Sequence, residues 1–457
     1  MPESSSRPLR VAVIGAGPGG IYAAGALLGT DLAVSVDVFD RLPTPSGLVR
    51  YGVAPDHPKI KSVAETLAAI LEAPEVRFFG NVAYGTDINQ EDLARHYDAV
   101  IHASGIPDPR PLGIPGEELL GSYTADEFIT WYNGHPNAEL STFLDARQVA
   151  VIGAGNVALD VVRMLLRTAD EVGATDVPDD VVTTWKRASA EEIHLLSRRG
   201  PAQAKFTTVE LRELAKVEDV DIVIDPADLE LDPAGEQLLE QDKAARRNVE
   251  VFRAWADEPS TGQSRRVHLH FWSRPRAITG TEQVEGLEVE RTALNDDDQL
   301  VAEGSREQLE VQAVFSAVGY VPRLVPGLPV DPDATAVPND DGRVLASDGV
   351  VPGCYVAGWL KRGPTGVIGT NKSDATATVA TLLADAEAGG LPAPAAPDPD
   401  TVPALLDERG IAYVSWEQWL ELDAHELSEG SNQGRVRSKV ATVEAMMDIA
   451  HRARGSP

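Results

Sequence analysis

One arrangement constrains this chain more than any other: a buried-strand run, a glycine turn and a helix, written twice. The first copy is VAVIGAGPGG, residues 11 to 20, with glycines at 15, 17 and 20. The second is VAVIGAGNVALD, residues 149 to 160, with glycines at 153 and 155 and Ala158 in the third place. In such a loop the first glycine makes the tight turn. The second lets a pyrophosphate approach the backbone, and the third lets the helix pack on the strand. The helix N-terminus then presents its N–H groups and dipole to the anion. Each copy requires a parallel strand–helix–strand unit around it, so the chain must build two.

The residues after the next strand tell the two copies apart. Val34 to Phe39 reads as a strand and ends at Asp40, about 20 residues beyond the first loop, where an acid binds a ribose hydroxyl. Glu192 to Ser197 reads as the matching strand of the second copy and runs into Arg198 and Arg199. An acid there would repel a 2′-phosphate, whereas guanidinium groups pair with it in forked geometry. The first loop is therefore expected to take an adenine nucleotide without that phosphate, most simply FAD, and the second to take NADP. A third glycine-rich block, YVAGWLKRGPTGVIGTNK (residues 355 to 372), precedes a helix and offers backbone N–H groups suited to a flavin ring or its chain.

Between these blocks the pattern alternates as α/β. At 457 residues the chain exceeds one ordinary core, so two domains are expected. Pro58 to Leu71 reads as one amphipathic helix. Residues 266 to 318 are strand-rich, 372 to 384 helical, 389 to 403 a Pro/Ala linker and 415 to 451 an acidic helical tail. The run EQLLEQDKAARRNVEVFRA reads as one helix. Lys243, Arg246 and Arg247 share a face at i, i+3 and i+4, with Arg253 close to the same stripe.

Composition then excludes classes. The net charge of −31 disfavours nucleic acid and anionic membrane surfaces. It also makes local basic clusters conspicuous. The single cysteine, Cys354, allows neither an internal disulfide, a redox dithiol nor a cysteine-ligated cluster. The nine histidines show no zinc-type spacing, so no metal is expected. No apolar run is long enough to span a bilayer, and the N-terminal MPESSSRPLR lacks a signal-peptide core. A cytoplasmic protein is expected.

The ordered blocks GAGPGGIYAA, LPTPSGLVRYGVAPDHPKIK, FFGNV, GAGNVALDVVR, SRRGP, FTTVELREL and GWLKRGPTGVIGTNK run from about Arg10 to Ala380. Together they resemble the adrenodoxin-reductase type of ferredoxin–NADP reductase, most closely its single-module actinobacterial form. The resemblance implies an α/β fold of two Rossmann-like dinucleotide-binding domains, the NADP domain (108–322) inserted into an FAD domain (1–107 and 323–457). It implies FAD contacts at Gly15, Ala16, Gly17, Pro18, Asp40, Leu48, Val82, Trp359, Gly366, Val367 and Ile368. NADP contacts are implied at Gly153, Asn156, Val157, Ala158, Arg198, Arg199, Glu210 and Gly366. His57 and Glu213 match residues near the family's flavin–nicotinamide site and are the implied catalytic pair. Asp40 stands where the family often has Glu, a shorter arm with the same acid function. The implied reaction takes hydride from NADPH and passes single electrons to a ferredoxin-type iron–sulfur protein. The partner is generally acidic, so the stripe at Lys243, Arg246 and Arg247 is the expected docking element, on a chain expected to be a monomer. The same two sites would also serve an NADPH diaphorase or quinone reductase with no dedicated ferredoxin. A protein that holds the nucleotides without turnover is the third reading.

Overall fold

The computed structural model describes residues 7–105, 108–138, 143–295, 297–321, 324–329, 335–366 and 368–452. The chain divides into two compact units, residues 1–108 with 320–457, and residues 109–319.

The first unit is built on a seven-stranded sheet. Its order is Asn339–Asp340, Arg343–Ala346, Gly349–Val356, Ala99–His102, Leu9–Ile14, Val34–Phe39, Val76–Phe79. The strands from Gly349–Val356 onward run parallel, while the first two form an antiparallel edge. Leu9–Ile14 sits near the centre with Val11, Ala12 and Val13 fully buried, as a strand covered on both faces requires. One face packs on helices Pro18–Leu28, Val63–Leu71 and Thr370–Glu387 through Ile21, Leu27, Leu67, Val379 and Leu382. Strand Gly349–Val356 enters this sheet beside Ala99–His102, with Cys354 opposite Val100, and so brings C-terminal residues into the first unit.

The second unit carries a six-stranded sheet, all parallel, in the order Ser122–Thr124, Ala313–Ser316, Gln148–Ile152, Glu192–Leu196, Arg265–His270, Val220–Ile224. An antiparallel sheet of Ser273–Thr279, Gly286–Leu294 and Leu300–Leu309 belongs to the same unit. Leu287 and Val289 from it share an apolar cluster with Ala150, Ile152 and Leu196 of the parallel sheet.

Two expected helices are interrupted. The Pro58–Leu71 run forms Pro58–Lys61 and Val63–Leu71 with Ser62 between them. The run around Lys243 forms Pro233–Gln241 and Lys243–Asp257, because Asp242 leaves helical geometry (φ −113°, ψ 109°) and caps the second helix. Its carboxylate accepts the N–H groups of Ala244 and Ala245. An aspartate competes well for such N–H groups, which favours a cap over a helix interior.

Candidate active site

Both glycine loops sit at the C-terminal ends of central parallel strands, where open α/β sheets bind their ligands. In the first, Gly15 has φ +110°, and a Cβ there would lie 2.5 Å from the Ala103 carbonyl oxygen. A Cβ on Gly20 would strike the Gly15 carbonyl oxygen at 1.9 Å. A Cβ on Gly17, by contrast, would point into open space. The helix Pro18–Leu28 starts at Gly17 with no side chain capping its N-terminus. The first and third glycines are thus demanded by packing, while the second leaves room for an approaching group. The second loop repeats this. A Cβ on Gly153 would meet the Ala317 carbonyl oxygen at 2.4 Å, one on Gly155 would meet nothing, and helix Asn156–Leu165 has no side-chain cap. Ala158 is buried and Val157 half-buried at its start. Both cradles have the shape and the free helix end that a pyrophosphate needs.

In the first unit, a cavity of about 240 Å³ opens beside the loop. Ile14, Gly15, Asp40, Val82, Tyr84 and Trp359 are among its lining residues. Asp40 accepts the N–H of Ala16 (2.8 Å) and of Leu42 (2.9 Å), one on each carboxylate oxygen. It therefore braces the loop as well as facing the cavity, and each oxygen keeps a lone pair for a ribose hydroxyl. Burial pushes its carboxyl pKa above the ordinary aspartate value. Leu48 begins helix Leu48–Tyr51 next to the loop: Ser46 N–H donates to the Ala16 carbonyl, and a Cβ on Gly47 would lie 2.9 Å from the Gly17 Cα. His57 is the half-buried N-cap residue of helix Pro58–Lys61.

Trp359 opens the short helix Trp359–Arg362 at the end of strand Gly349–Val356. Asp374 fixes that turn. It accepts the Gly358 N–H at 2.6 Å and lies within ion-pair distance of Lys361 and Arg362. Gly366 (φ +86°) is exposed and Ile368 half-buried, while Val367 lies outside the described residues.

In the second unit, Arg198 and Arg199 follow strand Glu192–Leu196 with exposed side chains. Among the described residues neither enters an ion pair. The segment from Lys205 to Glu210 is fastened to the second loop at three points. Lys205 N–H donates to the Ala154 carbonyl at 2.7 Å, and Thr207 N–H to the Asn156 side chain at 2.8 Å. Arg163, buried on helix Asn156–Leu165, bonds Glu210 at 3.2 Å and Asp160 at 2.7 Å. Glu213 stands one turn beyond Glu210 and pairs with Lys216 at 2.7 Å. Arg163 and Asp374 were not singled out from the sequence. The i, i+3 spacing of Asp160 and Arg163 is the one local signal that pointed to either.

The basic stripe expected to dock a partner is on the solvent side of helix Lys243–Asp257. Lys243, Arg246, Arg247 and Arg253 are exposed, opposite the buried Ala245, Val249 and Phe252. Arg246 also turns back to bond the carbonyls of Leu239 and Glu240 in the last turn of the preceding helix.

Comparison with known proteins agrees with this geometry. Residues 9–200 match the family described as pyridine nucleotide-disulphide oxidoreductase. The chain is 42% identical to the NADPH-ferredoxin reductase FprA of Mycobacterium tuberculosis, over 97% of this chain and 99% of that one. It is 37% identical to the mitochondrial NADPH:adrenodoxin oxidoreductase of Arabidopsis thaliana, over 98% and 96% of the two chains. The solved structure of M. tuberculosis FprA in complex with NADPH superposes with a TM-score of 0.89 at 40% identity, covering 97% of this chain and all of that one. The chain belongs to the adrenodoxin-reductase type of NADPH–ferredoxin reductases. The single cysteine, Cys354, is buried with its thiol pKa pushed up to about 12 by desolvation. A cysteine so placed is inert rather than nucleophilic.

Proposed function

We propose that this reductase holds FAD in its first unit and NADPH in its second, and delivers electrons singly to a ferredoxin-type iron–sulfur protein. The observation that carries the reading is a contrast just beyond the ends of two corresponding strands, Val34–Phe39 and Glu192–Leu196. Two glycine cradles without a side-chain cap are followed by Asp40 in one unit and, in the other, by Arg198 and Arg199, which enter no ion pair among the described residues. One pattern suits a ribose hydroxyl, the other a 2′-phosphate.

Gly15, Ala16, Gly17 and Pro18 would cradle the FAD pyrophosphate, with Asp40 on the ribose and Val82 along the cavity wall. Leu48, Trp359, Gly366, Val367 and Ile368 would hold the rest of the group. A bound flavin supplies a two-electron acceptor that can release electrons one at a time. Gly153, Asn156 and Val157 would cradle the coenzyme's pyrophosphate, with the buried Ala158 seating the helix on its strand, and Arg163 would hold Glu210 in place beside it. His57 and Glu213 are read as the groups that place the nicotinamide for transfer. The exposed stripe of Lys243, Arg246 and Arg247 would dock an acidic ferredoxin, since attraction must be local on a chain of charge −31.

The acceptor separates this reading from that of an NADPH diaphorase. Steady-state NADPH oxidation measured with candidate ferredoxins and with quinones is the test. Saturable turnover with a ferredoxin supports the proposal. Turnover with quinones alone favours the diaphorase.

A further inference from the structure

Among the described residues the Arg198 and Arg199 side chains enter no ion pair, yet the backbone of their turn is held at every residue. The Ser197 carbonyl accepts the Ser273 N–H at 2.8 Å. The Arg198 carbonyl accepts the Thr292 hydroxyl at 2.8 Å. The Arg199 carbonyl accepts the Trp272 N–H at 3.2 Å and the Ser197 hydroxyl at 2.9 Å. Thr292 is itself 1% exposed, and its N–H donates to the Trp272 carbonyl. Gly200 closes the turn against the Trp272 indole: a Cβ there would lie 2.2 Å from the ring.

Trp272 has φ +56°, the left-handed region, on a buried bulky side chain. Such a residue is an outlier that persists only where its surroundings over-determine it. It stands where the chain leaves strand Arg265–His270 of the parallel sheet and enters Ser273–Thr279 of the antiparallel one. The strained corner and the buried threonine on the neighbouring strand therefore face one turn, and that turn carries Arg198 and Arg199.

We infer that Thr292 and Trp272 are positioning residues for coenzyme selection: they fix the backbone from which Arg198 and Arg199 read a 2′-phosphate. A forked guanidinium contact rewards fixed geometry, and a turn ordered beforehand has less freedom to lose on binding. The inference rests on the assignment of NADPH to this unit. Neither residue needs to touch the coenzyme. Their effect should fall on the 2′-phosphate alone, because the glycine cradle is held by other contacts.

The test is calorimetric binding of adenosine 2′,5′-bisphosphate and of adenosine 5′-monophosphate to the flavin-loaded protein, with KM for NADPH and NADH measured alongside. Thr292→Val keeps the side-chain shape and removes the hydroxyl. It should weaken the bisphosphate roughly five-fold, the factor of one ordinary hydrogen bond. Binding of the monophosphate should stay as in the wild type, and Thr292→Ser should restore the loss. Gly200→Ala, which pushes the turn off the indole without altering any charge, should give the same selective loss and serves if Thr292→Val does not fold. Equal weakening of both nucleotides, or weakening of neither, overturns the inference. Arg198→Ala with Arg199→Ala is run in parallel. If that double variant keeps its preference for the bisphosphate, the NADPH assignment has failed. If it loses the preference while Thr292→Val and Gly200→Ala keep it, only the positioning role has failed.

Discussion

At the scale of single residues, charge and burial make the sharpest claims. Replacing Arg198 and Arg199 together by Ala should raise the KM for NADPH far more than that for NADH. Each charge-assisted hydrogen bond lost should cost about 1.5–3 kcal/mol. Steady-state kinetics with both coenzymes checks this, and unchanged discrimination would mean the phosphate is read elsewhere. Replacing His57 or Glu213 should slow flavin reduction in stopped-flow while the protein stays yellow. Unaltered rates in both variants would return them to a turn and a helix surface. A third claim concerns pH. Burial lowers the pKa of His102 to about 4, and both its ring nitrogens are buried with no hydrogen-bond partner among the described residues. Desolvation and neighbouring histidines likewise lower His194 to about 4 and His270 to about 3. In the unfolded chain each imidazole titrates near 6.5, so the unfolded state binds more protons below that pH. The stability that neutral histidines contribute is whole above about pH 6.5 and is lost as pH falls toward 4, at roughly 1.4 kcal/mol per pH unit for each proton. Thermal melts from pH 7 to 4.5 should show this slope, and His102→Phe should flatten it. An identical slope in that variant would mean that His102 does not contribute to it.

At the scale of elements, helix Lys243–Asp257 carries the docking claim. Arg246 caps the helix before it, so reversing its charge would disturb structure as well as docking. Lys243→Glu with Arg247→Glu is the cleaner pair. It should weaken ferredoxin-dependent cytochrome reduction, less so at high salt, and leave reduction of the small acceptor ferricyanide intact. Equal loss with both acceptors would place the docking surface elsewhere. The elements also show what a sequence discloses. The glycine loops were legible because turn, cradle and helix start are set by neighbours within a few residues. The strand ends carrying Asp40 and the two arginines followed from strand periodicity. The breaks at Ser62 and Asp242 were missed because both runs keep their helical apolar pattern across the break. Thr292 reaches a carbonyl 94 positions away, and Asp374 pins a loop 16 residues before it. No period in the sequence marks either contact.

At the scale of the whole molecule, two parallel-sheet units share one chain, and the return of the chain to the first unit is made by buried contacts. Strand Gly349–Val356 joins that sheet, and Glu426, fully buried on helix Trp416–Asn432, bonds Arg50 in the segment that leads to His57. Periodicity identifies such strands and helices but cannot say which sheet a late strand will join. That reading came with the family resemblance. Anaerobic titration of the purified protein, followed by its visible spectrum, tests the proposed coupling of the two nucleotide sites to single-electron delivery. Stoichiometric NADPH should bleach a flavin that chromatography identifies as FAD, NADH should do so far less readily, and an oxidised ferredoxin should then restore the colour. A colourless protein, or a yellow one that NADPH does not bleach, would contradict it.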